Sequence, residues 1–318
     1  MHFDVFNGDA DGIIALIQLR LAEPKKSTLI TGIKRDISLL KQVDHSVARS
    51  VTVLDISLEK NCDALNKLLD NKVKVFYVDH HRSGEIPKSD DLTTLINTDA
   101  NTCTSLLVND YLNDQYIHWA ITAAFGDNMT QSALTLAKQV ALTAEQQEDL
   151  KNLGIYINYN GYGRNVDDLH FHPATLYELL LQYKDPLDLL KEKDSLFYQL
   201  EKAYQEDMEK AASATVIADN AQCKIVQLAD QPWARRVSGV FGNELANQSP
   251  NKAHAVLTVN EDNTFTVSVR APLNNKQGAD EICIQFPTGG GRSGAAGINQ
   301  LPQKMLEQFI ATVSQYYA

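Results

Sequence analysis

Three stretches of the sequence end in residues able to bind a cation. Asp9 and Asp11, in Asn7-Gly8-Asp9-Ala10-Asp11-Gly12, follow the apolar run His2–Phe6; Asp55 follows Ser50–Leu54; Asp79, His80 and His81 follow 73–78. Four carboxylates and two imidazoles in one place are stable only if cations neutralise them. Hard oxygens mixed with imidazole suit Mn²⁺ or Mg²⁺, with Co²⁺ and other divalent ions less preferred. Two such ions about 3.5–4 Å apart polarise a phosphoryl oxygen and generate a nucleophile from water. Each acid alone has a plainer reading, because an Asp after a strand commonly caps a helix or forms a turn. Three coincident strand-end acids are much harder to read as caps.

The elements that must position these residues alternate. His2–Phe6, 27–31, Ser50–Leu54, 73–78 and 93–96 read as strands, and Leu58–Asp70 as a helix with Leu65, Leu68 and Leu69 on one stripe. Such alternation implies an α/β fold with a parallel sheet, whose strand C-termini line the crevice where ligands bind. Helical spacing follows at 104–112, 119–125 and 134–139, then a loop over 158–173 and one long helix over 186–212. Beyond it, 224–228, Ala253–Val259 and 264–269 read as strands, the last two joined by a turn at 260–263, and 237–246 and 301–314 as helices. The expected organisation is a catalytic domain over 1–190, a linker helix over 191–213 and a smaller α/β substrate-binding domain over 214–318.

These residues resemble the DHH phosphoesterase family, named for the tripeptide seen here as Asp79-His80-His81. FNGDADGIIA resembles its first motif, VLDIS its second, FYVDHHRSG its third, and INTDANTCTSLLV with AITAAFGDNM its fourth. GGGRSGAAG resembles the glycine motif of the DHH-associated substrate domain. The resemblance implies two metal ions held by Asp9, Asp11, Asp55, His80 and Asp127, with Asp55 bridging and Asp99 the rival of Asp127. It implies that His81 faces the substrate phosphate and that Asp79 orients a histidine. It further implies substrate contacts from Arg270, Gly290, Gly291, Arg292 and Ser293. Asn7 stands where many relatives have histidine and implies a weaker ligand; Arg292 replaces the histidine of the glycine motif but still suits phosphate. Arg235 and Arg236 are further phosphate candidates, whereas His170, His172 and His118 read as structural.

The 318 residues exceed the usual size of one domain, and 44% are hydrophobic. The net charge of −11 argues against a long basic footprint for duplex nucleic acid. Four scattered cysteines suit free thiols in a reducing compartment, and neither a leader nor a membrane span is visible. The expected protein is cytoplasmic, with homodimerisation left open. The expected activity is hydrolysis of short oligonucleotides or small nucleotide phosphoesters to mononucleotides. A pyrophosphatase or short-chain polyphosphatase, and a weakly catalytic nucleotide sensor, are the alternatives.

Overall fold

Runs of β-branched residues bounded by polar turns build the centre of a parallel sheet. The structure, a computed structural model, describes residues 1–99 and 101–318; Ala100, inside the fourth motif, lies outside them. Two compact units are present, Met1–Lys202 and Ala203–Ala318.

In the first unit the order is β1 (His2–Phe6), α1 (Ala10–Ala22), β2 (Thr28–Ile30), β3 (Ser50–Leu54), α2 (Leu58–Asp70), β4 (Lys74–Asp79) and β5 (Leu92–Ile96). Helices α3 (Thr104–Tyr111), α4 (Ile117–Gly126), α5 (Thr130–Gln139), α6 (Ala144–Asn160), α7 (Pro173–Leu180) and α8 (Pro186–Leu189) follow. The strands pair in parallel in the order β2-β1-β3-β4-β5. After β1 the chain moves to one side for β2 and to the other for β3, so the strand order reverses between β1 and β3. Ligands of open α/β sheets bind at that switch point, beyond the strands' C-terminal ends.

Alternation along the strands sends Phe3, Val5, Val51, Val53, Val75 and Tyr77 into one core with Leu58, Leu65 and Leu68 of α2. Helix α1 is buried from Ala10 to Arg20, packed among α3, α4, α6 and α7. Its all-round apolar composition fits that position. Helices α4 and α6 cross at two glycines: a Cβ at Gly126 would lie 2.7 Å from the Gly154 carbonyl and 2.6 Å from the Ala10 Cβ. This close approach sets the C-terminal end of α4, and so Asp127, against the start of α1.

Two expectations change here. The loop expected from residue 158 starts later, because α6 runs to Asn160; a capping box of Thr143 and Gln146 starts that helix, which the apolar spacing alone does not reveal. The single helix over 186–212 is two. Proline begins α8 at Pro186, a turn containing Asp194 at φ 63° interrupts, and α9 runs Leu196–Ala211. The division between units, at Lys202/Ala203, falls inside α9 and within the stretch read as a linker.

The second unit adds β6 (Thr215–Asp219), β7 (Cys223–Leu228), α10 (Pro232–Gln248), β8 (Ala253–Val259), β9 (Thr264–Arg270), α11 (Ala279–Cys283), β10 (Gly289–Arg292), β11 (Ala295–Pro302) and α12 (Leu306–Tyr316). Its sheet has the order β10-β11-β9-β8-β7-β6, antiparallel except where β7 meets β8. Cys223, Ile225, Ala255, Leu257 and Val267 share a core with Ile282 of α11 and Phe309 and Val313 of α12, while α10 packs on β8 and β9. The glycine-rich stretch is an edge hairpin, with Gly290 opposite Gly297 and Gly291 opposite Ala296. The last helix starts at Leu306, since Leu301 still belongs to β11.

All four cysteines are free thiols. Among the described residues no helix is long and apolar enough to cross a membrane.

Candidate metal centre

Asp9, Asp11, Asp55, Asp79 and His80 are all buried at the C-terminal ends of β1, β3 and β4. Asp9 caps α1, its Oδ1 accepting from the Gly12 N–H at 3.1 Å. Asp11, two residues later, accepts the Thr104 N–H at 2.8 Å and the Ser105 N–H at 2.7 Å on its two oxygens. A carboxylate at a helix start is favoured by the orphan N–H groups and dipole there. The plain capping reading is therefore true of Asp9, while Asp11 meets the first amides of α3, and both uses take only part of the acceptor capacity of a carboxylate.

Asp55 is set differently. Its N–H extends the sheet by donating to the Val78 carbonyl at 3.1 Å, after which its backbone turns left-handed at φ 58°. Residues with a short polar side chain tolerate that conformation best, and such positions gather at functional sites. Burial raises the Asp55 carboxyl well above the usual range, and the neighbouring charges of Asp9 and Asp11 raise it further.

His80 Nδ1 lies 3.0 Å from the Thr102 carbonyl. A carbonyl only accepts, so Nδ1 carries a proton and, in the neutral ring, Nε2 is the nitrogen with the lone pair. That lone-pair nitrogen stands 3.4 Å from Asp55 Oδ1 and 3.8 Å from Asp11 Oδ2. Adjacent donors around an octahedral ion with bonds of about 2.1 Å lie about 3 Å apart, so these spacings need little closing. Donor atoms of Asp55, His80 and His81 all fall within 4.8 Å of one another. The donor set of Asp11, Asp55 and His80 fits a hard divalent cation.

His81 sits at the mouth, its side chain 39% exposed, with Nδ1 2.7 Å from Asp79 Oδ1. Burial disfavours its charged form, but the hydrogen bond and the charges of Asp79 and Asp55 outweigh that and raise its pKa. Asp79 Oδ2 is buried without a hydrogen-bond partner.

The Asp9 side of the cluster holds a residue that sequence reading missed. Lys34 Nζ lies 2.5 Å from Asp9 Oδ2, 3.7 Å from Asp127 Oδ1 and 3.0 Å from Asn158 Oδ1. Burial works against both charges, but the Lys34–Asp9 attraction prevails: the Asp9 carboxyl is held below the usual range and the Lys34 ammonium above its own. Asn7, expected as a weaker ligand, has its amide engaged by backbone at both ends. Its Oδ1 accepts from the Asp9 N–H at 3.2 Å and its Nδ2 donates to the Lys34 carbonyl at 3.1 Å, so the amide clamps two backbone segments. Asp99 lies on an exposed turn, accepting from the Asn101 N–H at 2.7 Å, whereas Asp127 is next to Lys34.

In the second unit, the Arg270 guanidinium is spent on structure. It donates to Asn243 Oδ1, Ser268 Oγ and the carbonyls of Val269 and Gly239, tying β9 to α10. Gly290, Gly291, Arg292 and Ser293 occupy the exposed edge hairpin. Arg236 forms a buried ion pair with Asp207 at 2.8 Å, and Arg235 pairs with Asp230, so both have local structural partners. His172 caps α7, His170 meets the Tyr159 hydroxyl at 2.8 Å and His118 meets Asp185 at 2.9 Å.

No protein-family model matches the sequence, and no curated protein does. Solved structures do. A DHH-domain protein described as a member of the s1p family of ribosomal proteins aligns over 99% of this chain and 86% of its own, with TM-score 0.64 and 14% identity. The exonuclease RecJ bound to manganese aligns over 99% and 90%, with TM-score 0.60 and 15% identity. The pGpG-specific phosphodiesterase PggH from Vibrio cholerae aligns over 99% and 98%, with TM-score 0.53 and 11% identity. The chain has the fold of DHH-domain proteins.

Proposed function

We propose that the chain is a metal-dependent phosphoesterase that hydrolyses short oligonucleotides or small nucleotide phosphoesters to mononucleotides. One observation carries the reading. The Asp55 carboxyl is buried among the acids Asp9 and Asp11, and His80, its Nδ1 held by the Thr102 carbonyl, turns Nε2 toward Asp55 at 3.4 Å. That arrangement is unfavourable by itself and favourable around a cation. Asp11, Asp55 and His80 would hold the ion, most favourably Mn²⁺. When bound it supplies a Lewis acid and a charge that activates water.

The protein's own residues do the rest. His80 is oriented by the Thr102 carbonyl, which fixes its tautomer. His81, kept protonated by Asp79, offers its outer N–H to a phosphoryl oxygen and stabilises charge that develops there. Gly290, Gly291, Arg292 and Ser293 are read as the residues that bind the remainder of the substrate, with Arg270, on β9 beside β11, anchored to α10. Net charge and the lack of a long basic stretch favour a substrate of a few nucleotides over a long strand. Free thiols suit a reducing compartment and support a cytoplasmic activity.

The test is a panel of di- to hexanucleotides, 3′-phosphoadenosine nucleotides, cyclic di-AMP and pyrophosphate, assayed with and without Mn²⁺. The dinucleotide pGpG, named for one structural neighbour, belongs on it. Mn²⁺-dependent release of mononucleotides is expected. Tight binding of any of these without cleavage would favour the nucleotide sensor instead, and cleavage of pyrophosphate alone would favour the pyrophosphatase.

A further inference from the structure

The acids of the centre fall into two groups, and among the described residues one of them lacks a cation of the protein's own. Asp55 has acids and imidazoles as its charged neighbours. Asp9 and Asp127 share Lys34. We infer that the centre takes a single divalent ion, on Asp11, Asp55 and His80, and that the Lys34 ammonium permanently occupies the place of a second ion between Asp9 and Asp127. The inference rests on the metal-centre reading proposed above and departs from the two ions that the sequence resemblance implies.

Lys34 is no loose surface lysine. Its N–H donates to the Gly161 carbonyl at 2.8 Å, and its own carbonyl accepts from Asn7 Nδ2 at 3.1 Å. The segment just before it packs directly on the first motif, since a Cβ on Gly8 would collide with the Gly32 carbonyl oxygen. From that anchored backbone the ammonium reaches Asp9 and Asn158 and lies 5.5 Å from the centre of the Tyr162 ring, whose face attracts cations. Two carboxylates, an amide oxygen and an aromatic face leave the ammonium surrounded by acceptors, as a bound cation would be.

The residue at position 7 fits this arrangement. With both ends of its amide engaged by backbone, Asn7 supplies no ligand, and it holds the segment that delivers Lys34. A divalent ion on Asp9 and Asp127 would have to share its carboxylates with an ammonium already in contact with one of them, and like charges at such separations repel strongly. A lysine differs from an ion in one useful respect. Chelators cannot remove it, so part of the charge compensation at the site is independent of metal supply.

The experiment counts ions. Metal-free full-length protein is titrated with Mn²⁺ by calorimetry, and the bound ion is followed by electron paramagnetic resonance. The expected result is one ion per chain with an uncoupled Mn²⁺ spectrum. Asp9→Asn should keep that ion within about tenfold in affinity, the lower end for a residue outside the ligand set, whereas Asp55→Asn should lose it. The double variant Asn7→His, Lys34→Met, checked for folding by circular dichroism, should take two. Two ions in the wild type, none, loss of the ion in Asp9→Asn, or a folded double variant that still takes one would each overturn the inference. The phosphoesterase reading fails separately: one bound ion without hydrolysis of any phosphoester in the panel would sink that reading and leave the ion count standing.

Discussion

Strands β1 and β3 carry two buried charged clusters, and the two are built on opposite plans. Within the strands, Asp4 receives both Nε and a terminal nitrogen of Arg20, at 2.9 and 2.5 Å, while Thr52 accepts from the same guanidinium at 3.1 Å and His2 approaches Asp4 at 3.0 Å. Every charge there meets an opposite one in fork-like geometry. Beyond the strand ends, Asp9, Asp11, Asp55 and Asp79 have Lys34 for one of them and imidazoles for others. Burial tends to raise both Asp4 and Asp55, but Arg20 and His2 bring Asp4 down to about 2, whereas Asp55 is driven up by its neighbours. A balanced buried pair serves the fold; an unbalanced one stores a demand for a cation.

The contrast can be broken at either cluster. Asp55→Ala and His80→Ala should reduce metal-dependent turnover by about 10³-fold or more, the scale of losing a principal electrostatic element of an active site. Near-wild-type hydrolysis in either variant would remove that residue from the centre. Arg20→Ala should instead destabilise the first unit by about 3–5 kcal/mol, because it strands the Asp4 charge, with the ion count of the folded fraction unchanged. Denaturant titration measures this. Replacing both partners, Asp4→Asn with Arg20→Met, should recover much of the loss; a double variant as unstable as Arg20→Ala would show that the pair is not what the single variant disturbs.

Acid should act on the balanced cluster within a narrow window. Asp4 binds its proton less readily when folded, so its contribution is complete above about pH 4 and is lost as pH falls toward 2, roughly 2 kcal/mol in all. Asp4→Asn should flatten that part of the stability profile. The smallest expected effect is at the mouth of the unbalanced cluster. Asp79→Asn should slow turnover by about 10–100-fold by releasing His81, with the bound ion retained. Its pH–rate profile should lose the arm that reports His81; an unaltered profile would mean that His81 is not held by Asp79.

Much of this was readable because local patterns carried it. Ser50–Leu54 and Leu58–Asp70 have the bounds expected from β-branched composition and a leucine stripe, and the acids follow the strands where the sequence puts them. The start of α6 was readable too, in the Thr143–Gln146 capping box, but apolar spacing alone passes over it. The helix over 186–212 broke because Asp194 adopts a left-handed backbone, for which its sequence gives little warning. Glycines at 289–291 have weak strand preference, which pairing with β11 overrides. Lys34 had no local signal at all. Its meaning depends on Asp9, 25 positions earlier, and Asn158, 124 positions later, and distance in sequence hides such a contact.

The bonds from Asp11 to the Thr104 and Ser105 amides join residues 93 and 94 positions apart. Closing so long a loop is costly in chain entropy and makes such contacts slow to form. The crevice is therefore completed late, after the strands that frame it have paired. A cation that binds only the finished crevice has no hold on the folding transition state. Metal should then leave the refolding rate nearly unchanged and slow unfolding, so that the ion acts as a latch on a structure already assembled.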